Sequence, residues 1–305
     1  LVIFAAGLIL AALQSNSVLA GLTCVTGVLA VISFVDDWRG LSGAFRFMCH
    51  GLAATAVLFA LDWPELSICL PGLLDWKIPQ PFSFLMLLCW IVGYTNSFNF
   101  MDGIDGIGGG QALFSALGSG FLAGLAAGQW GEPPIVFAFI VAGAAAGFLP
   151  HNFPRARMFM GDVGSAPLGF LLAVLTVWMA MTYGWWLFIP MALLHTNFVL
   201  DTGLTIGRRF WRGERWYVPH REHFYQRLVR SGKRHTFVTL LEMSLQAVVA
   251  LLLLAYLHAG NAARIGLVVS IAALWLLFFI YSEMQFRRSS ADQNSNLNAV
   301  DGVGA

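Results

Sequence analysis

The stretch "NFMDGIDGIGGG" (residues 99–110) follows directly on an apolar run that ends near Phe98. It holds two carboxylates three positions apart, Asp102 and Asp105, among five glycines. A membrane helix leaving the bilayer would reach water about here, and acids at that point need a reason. One reading is a flexible interfacial turn. The other is a site: glycines let a ligand approach the backbone, and a helix starting near Ile107 would aim its positive N-terminal end at an anion. No GK[ST] follows, so the stretch is not a Walker A loop.

The rest of the chain sets the context. Of 305 residues 58% are hydrophobic and 11% are charged, with a mean hydropathy of +0.73. A soluble domain carries roughly 25% charged residues, so the composition reads as a polytopic membrane protein. Its spans must be helices that satisfy their own backbone. Apolar runs predict ten of them, near 1–13, 18–35, 44–61, 82–98, 107–127, 134–149, 165–181, 185–202, 236–258 and 263–281. The expected fold is an all-α transmembrane bundle over 1–282. The first run is too short to cross, and the opening "LVIFAAGLIL" reads as a helix already under way, with one span expected upstream. The polar tail 283–305 is expected to be disordered. The Pro-rich "PGLLDWKIPQP" reads as a structural connector, a short hairpin. Cys24, Cys49, Cys69 and Cys89 form no CxxC pair and read as packing residues.

Alternation of the spans sorts the loops into two sets. Fifteen Lys and Arg fall in one set and two, Lys77 and Arg264, in the other. The positive-inside rule makes the first set cytoplasmic. A net charge of +1 offers no case for nucleic acid. Six aspartates gather on that same side: Asp36 and Asp37, Asp102 and Asp105, Asp162, and Asp201. Arg46, Arg155, Arg157, Arg208, Arg209 and the run "PHREHFYQRLVRSGKRH" lie beside them. Acids next to bases suit a hard divalent cation and an anionic substrate. Taken singly, each acid reads equally well as a helix cap, and the arginines as headgroup anchors. His195 and Glu242 fall within spans, where an ionisable group is a functional candidate or bonds a neighbouring helix.

Four loops then carry a resemblance. "VDDWRGLSGAFRF" (35–47), "NSFNFMDGIDGIGGG" (96–110), "HNFPRARMFMGDVGS" (151–165) and "PHREHFYQRL" (219–228) resemble the signatures of the polyprenyl-phosphate N-acetylhexosamine-1-phosphate transferases. The resemblance runs from about residue 1 to 282, with catalytic loops at 36–46, 96–110, 150–165 and 201–235. It implies Mg2+- or Mn2+-dependent transfer of a sugar-1-phosphate from a UDP-N-acetyl sugar to undecaprenyl phosphate, with release of UMP. It also implies a multi-pass enzyme of the bacterial inner membrane with a cytoplasmic site, and it is compatible with a homo-oligomer.

Roles carry over position by position. Asp162 matches the metal ligand, and Asp36 and Asp37 match the pair that positions or deprotonates the lipid phosphate. Asn96, Asn99, Asp102 and Asp105 match the stretch lining the active site. Asn152 and Phe159 match the uracil contacts, while Arg46 matches a substrate contact. Arg221 and His223 match the loop facing sugar and diphosphate. Gly40 stands where the peptidoglycan enzymes have Lys, and Tyr225 where an HxH has its second His. These departures resemble the O-antigen and enterobacterial common antigen branch, with a 6-deoxy sugar such as FucNAc or QuiNAc as donor. The rival expectations are a lipid I-forming transferase, a secondary transporter, whose acids would lie nearer the midplane, and an Asp-rich prenyltransferase, whose third Asp "DDWRG" lacks.

Overall fold

The computed structural model describes residues 1–62, 65–70, 74–215, 218 and 220–301. Their elements run α1 (Val2–Leu13), α2 (Ser17–Arg39), α3 (Gly43–Ala60), β1 (Leu66–Leu70), β2 (Leu74–Ile78), α4 (Gln80–Met101), α5 (Ile107–Ala127), α6 (Pro133–Asn152), α7 (Asp162–Tyr183), α8 (Phe188–Leu193), α9 (Thr196–Trp211), α10 (Phe224–Arg230), α11 (His235–His258) and α12 (Asn261–Asp301). Eight of these helices are long and apolar enough to cross a bilayer. Helix α1, with 12 residues, falls short of the ~20 a crossing takes. Turn chemistry sets the ends: Asn16 Oδ1 accepts the Leu19 N–H at 2.8 Å to start α2, and prolines open α6.

Helix α7 is the hub. It is apolar on all sides, and 89% of its spanning window is buried, against 28% for α12. A helix without a polar face belongs in the centre of a bundle, and α7 packs against α2, α4 and α5. At Gly169 a side chain would run into Phe98 and come within 3.3 Å of the Thr95 backbone, so glycine lets α7 lie directly on α4. Because α7 is held from all sides, its first residue, Asp162, has a fixed place at the bundle's basic edge.

The predicted span 185–202 is broken. A 3-10 turn (Trp185–Leu187) and α8 meet α9 at a bend of 71°. The carbonyl of Leu194 loses its helical partner there and is recovered by side chains from other helices. It accepts Gln111 Nε2 at 2.9 Å, Ser115 Oγ at 3.1 Å and Gln246 Nε2. Within a bilayer an irregular backbone survives where protein donors replace water. No run of Gly or Pro marks the break in the sequence.

Two elements extend beyond the spans. The loop 62–81 contains the expected hairpin, with Leu66 opposite Ile78, beside an otherwise helical bundle. Ser83 Oγ on α4 fastens it, accepting Leu66 N–H at 2.8 Å and donating to Ile78 O at 2.7 Å. Helix α12 runs on past the apolar span as far as Asp301. Between Gly266 and Gly302 the sequence has no Gly or Pro to stop α12, and polar composition alone does not end a helix.

Candidate active site at the basic edge

Three helix ends meet around Asp162. Asp36, near the end of α2, is buried and accepts Leu41 N–H and Arg46 Nη1, the latter at 2.9 Å. The same Arg46 nitrogen donates to Asp162 Oδ2 at 2.9 Å. Asp36 and Asp162 therefore stand within two hydrogen-bond lengths of each other, with one guanidinium between them. Asp37 faces the other way and accepts the N–H groups of Asp162 at 3.0 Å and Val163 at 2.9 Å. Its carboxylate thus caps α7, whose own N-cap residue, Gly161, has no side chain to do so.

The Asp102–Asp105 turn enters from the side. Asp102 ends α4, and its carboxylate accepts the Gly108 N–H in the first turn of α5. Burial pushes its pKa up to about 7, and the charge of Asp162 adds to the rise. Asn99 donates to Ser165 Oγ on α7 at 3.2 Å, while Asn96 Nδ2 is bound to Val92 O within its own helix. Asp105 turns away from Asp162: its carboxylate lies 3.6 Å from His235 Nδ1, and its carbonyl accepts Thr239 Oγ1. Asn152 is buried, with Oδ1 on Gly106 N–H at 2.7 Å and Nδ2 on Met158 O at 2.8 Å. Both ends of this amide are engaged with backbone, which locks the 99–110 turn to the loop before α7. Phe159 stands free on that loop, 77% exposed.

The last loop is anchored by a residue whose role was not visible from spacing. Asp201 on α9 is 1% exposed and accepts four donors: His223 Nδ1 at 3.0 Å, Phe224 N–H at 3.0 Å, Tyr225 N–H at 3.2 Å and Thr205 Oγ1 at 3.2 Å. It caps α10 and places the proton of His223 on Nδ1, leaving Nε2 as the free ring nitrogen. Asp201 and His223 are 22 residues apart, and no local pattern links them. Tyr225 is fully buried and its hydroxyl donates to Phe100 O at 3.3 Å. A side chain at position 103 would collide with that hydroxyl, so Gly103 is the contact surface between the last loop and the 99–110 turn. Arg221 is exposed, whereas Arg209 is paired with Glu214 at 2.8 Å and Glu222 at 2.7 Å.

The structure thus brings Asp36, Asp37, Arg46, Asn99, Asp102 and Asp162 to one place. It sets Asn96, Asp105, Phe159 and Arg221 apart from direct contact with that group. Among the described residues no three His, Cys, Asp or Glu side chains converge as metal ligands. A Mg2+ ion is commonly held by one or two carboxylates plus substrate oxygens and water. Asp36 and Asp162 already share a cation, so their hard oxygens fit such an ion.

Comparison with known proteins matches residues 19–180 to the model of "Glycosyl transferase family 4". A decaprenyl-phosphate N-acetylglucosaminephosphotransferase of Mycobacterium tuberculosis is 34% identical over 262 residues, 77% of this chain and 65% of the relative. The "Probable undecaprenyl-phosphate N-acetylglucosaminyl 1-phosphate transferase" of Bacillus subtilis is 26% identical, over 90% of this chain and 72% of its own. A phospho-N-acetylmuramoyl-pentapeptide-transferase of Streptococcus pyogenes is 28% identical, over 65% of this chain and 59% of its own. The chain spans just under two thirds of the length of the mycobacterial relative.

Proposed function

The chain belongs to glycosyl transferase family 4, and on that premise we propose that it transfers an N-acetylhexosamine-1-phosphate from a UDP-sugar to undecaprenyl phosphate at the cytoplasmic face of a bacterial inner membrane. An oxygen of the lipid phosphate attacks the β-phosphorus of the UDP-sugar. The bond from that phosphorus to the bridging oxygen breaks, and UMP leaves. The observation that carries the reading is the junction of α2, α3 and α7, where Asp36, Asp37, Arg46 and Asp162 interlock at the ends of apolar helices.

Phosphoryl transfer depends mainly on positioning and charge stabilisation. Asp162, with Asp36 beside it, would hold Mg2+, which supplies Lewis-acid stabilisation of the diphosphate oxygens when bound. Asp37 acts through α7: by capping its first turn it holds Asp162 in place. Arg46 keeps the two carboxylates together and has a guanidinium suited to phosphate oxygens. Asp102, neutralised in part by burial, limits the negative charge that an incoming diphosphate meets. His223 is buried and held through Nδ1 by Asp201, which leaves Nε2 as the ring nitrogen available to a ligand reaching the last loop.

The names of the mycobacterial and Bacillus relatives favour N-acetylglucosamine as the sugar. The 6-deoxy alternative drew on Tyr225, which is turned inward onto Gly103 and Phe100. That substitution bears on how the loop is anchored before it bears on sugar choice. A role in O-antigen synthesis is one outlet for the product.

The test uses the purified chain with undecaprenyl phosphate and a panel of UDP-N-acetyl sugars, 6-deoxy sugars included, with Mg2+ or with EDTA. UMP release that requires both the lipid and the metal supports the proposal, and the preferred sugar assigns the donor. Solute flux in proteoliposomes without UMP release would overturn it in favour of a transporter.

A further inference from the structure

The carbonyl of Leu194, exposed by the break between α8 and α9, dictates how several amides in the bundle interior must face. It takes Nε2 of both Gln111 on α5 and Gln246 on α11. With its nitrogen so engaged, Gln111 turns Oε1 toward Asn197 Nδ2, which donates to it at 2.8 Å. Asn197 Oδ1 and Gln246 Oε1 are then left with no donor, and Glu242 Oε1 joins them. All three residues are buried, at 3%, 1% and 3% exposure respectively. The other Glu242 oxygen receives a single long bond of 3.3 Å from Asn197.

These side chains line one small cavity of about 10 Å³, room for a single water-sized occupant. Thr239 lines it as well, and its hydroxyl proton goes to the carbonyl of Asp105. The unpartnered polar atoms of the lining residues are all oxygens, set beside the apolar Ile107, Phe114 and Met243. Buried polar atoms without partners are costly and call for an occupant. An anion is excluded by the sign of those oxygens. One neutral water offers two protons to three bare oxygens, one too few. A divalent ion would be left with an excess positive charge in the membrane interior, since Glu242 is the single carboxylate in the lining. Asp201, whose charge also reaches Glu242, has both oxygens engaged around α10.

We propose that this cavity is a binding site for one monovalent cation of about sodium's size, held by Glu242, Asn197 and Gln246. The ion would tie α9 to α11 beside Thr239, whose hydroxyl holds the carbonyl of Asp105 in the 99–110 turn. Broken helices whose freed backbone and side-chain oxygens hold a monovalent ion are a known physical solution in membranes. The proposal stands independently of the transfer reaction, because its readouts are binding and stability.

The test measures thermal unfolding of the full chain in detergent, free of divalent ions, in NaCl, KCl and N-methylglucamine chloride at equal ionic strength. The expected result is a midpoint higher in NaCl than in N-methylglucamine chloride by about 2–4 °C or more, saturating with concentration. Glu242→Gln should abolish that difference. Direct binding of radioactive sodium to the unmodified chain should show one site, which does not depend on a variant folding. Equal midpoints in the three salts with no bound sodium would overturn the proposal. So would a Glu242→Gln chain that keeps the parent's full difference between NaCl and N-methylglucamine chloride, which would place the sodium effect outside this cavity.

Discussion

The edge cluster around Asp162 and the interior cluster around Leu194 are both polar, yet they differ in how charge is met. At the edge, Asp36, Asp37 and Asp162 each face a guanidinium or helix N–H groups. In the interior, Asn197, Gln246 and Glu242 keep oxygens with no donor. The edge group is held together by its own residues and is open to ligands carrying phosphate. The interior group is closed and incomplete without something positive. Polar groups in a membrane protein thus serve different ends according to whether donors or acceptors are in excess.

Asp162→Asn breaks the comparison most directly. Removing the carboxylate that faces both Arg46 and the proposed metal should lower UMP release by about 10³-fold or more. The unfolding midpoint should stay within a few degrees, because the Arg46–Asp162 pair is partly exposed. A variant that keeps most of its activity would make the edge cluster structural, like the interior one.

Asp201→Ala sharpens the contrast from the other side, since Asp201 is an acid whose charge is wholly met by donors. Its loss strands three donors of α10, His223 included, and should cost about 3 kcal/mol of stability. Asp201→Asn should cost less, keeping part of the cap. Denaturation midpoints of the two variants check the order.

Gly103→Ala tests whether the last loop and the 99–110 turn act as one body. The added methyl meets the Tyr225 hydroxyl and should destabilise by about 1–3 kcal/mol. Adding Tyr225→Phe removes the oxygen and should recover part of the loss, read as a coupling energy in a double-mutant cycle.

The smallest expected effect concerns Asp102 in metal-free protein. Its folded pKa of about 7 lies above the ~3.9 of an unfolded aspartate. The folded state therefore binds the extra proton, and this contribution is present in full below the unfolded value. It is lost as pH rises through about 7. Unfolding midpoints should fall from pH 5 to pH 8 more steeply in the parent chain than in Asp102→Asn. Identical slopes would show that Asp102 is solvated.

Much of this was readable beforehand because a bilayer imposes a simple rule on composition. Nine of the ten predicted apolar runs coincide with one helix each, and the acids of 36–37, 102 and 162 do gather at one edge. The break at Leu194 was not readable, since its compensation comes from Gln111, Ser115 and Gln246 on other helices. The engagement of both ends of the Asn152 amide was equally hidden: a side chain that looks free to meet a ligand can be spent on backbone far away in sequence.

By itself the sequence determined where most of the helices lie, which edge carries the charge and which family the loops resemble, because hydropathy and motif spacing are local properties. Only the tertiary structure decided that Asp37 caps α7, that Arg46 joins Asp36 to Asp162, and that Asp201 orients His223. Hydrogen bonds depend on distances of about 3 Å between atoms, and residues far apart along the chain reach such distances only after the helices have packed.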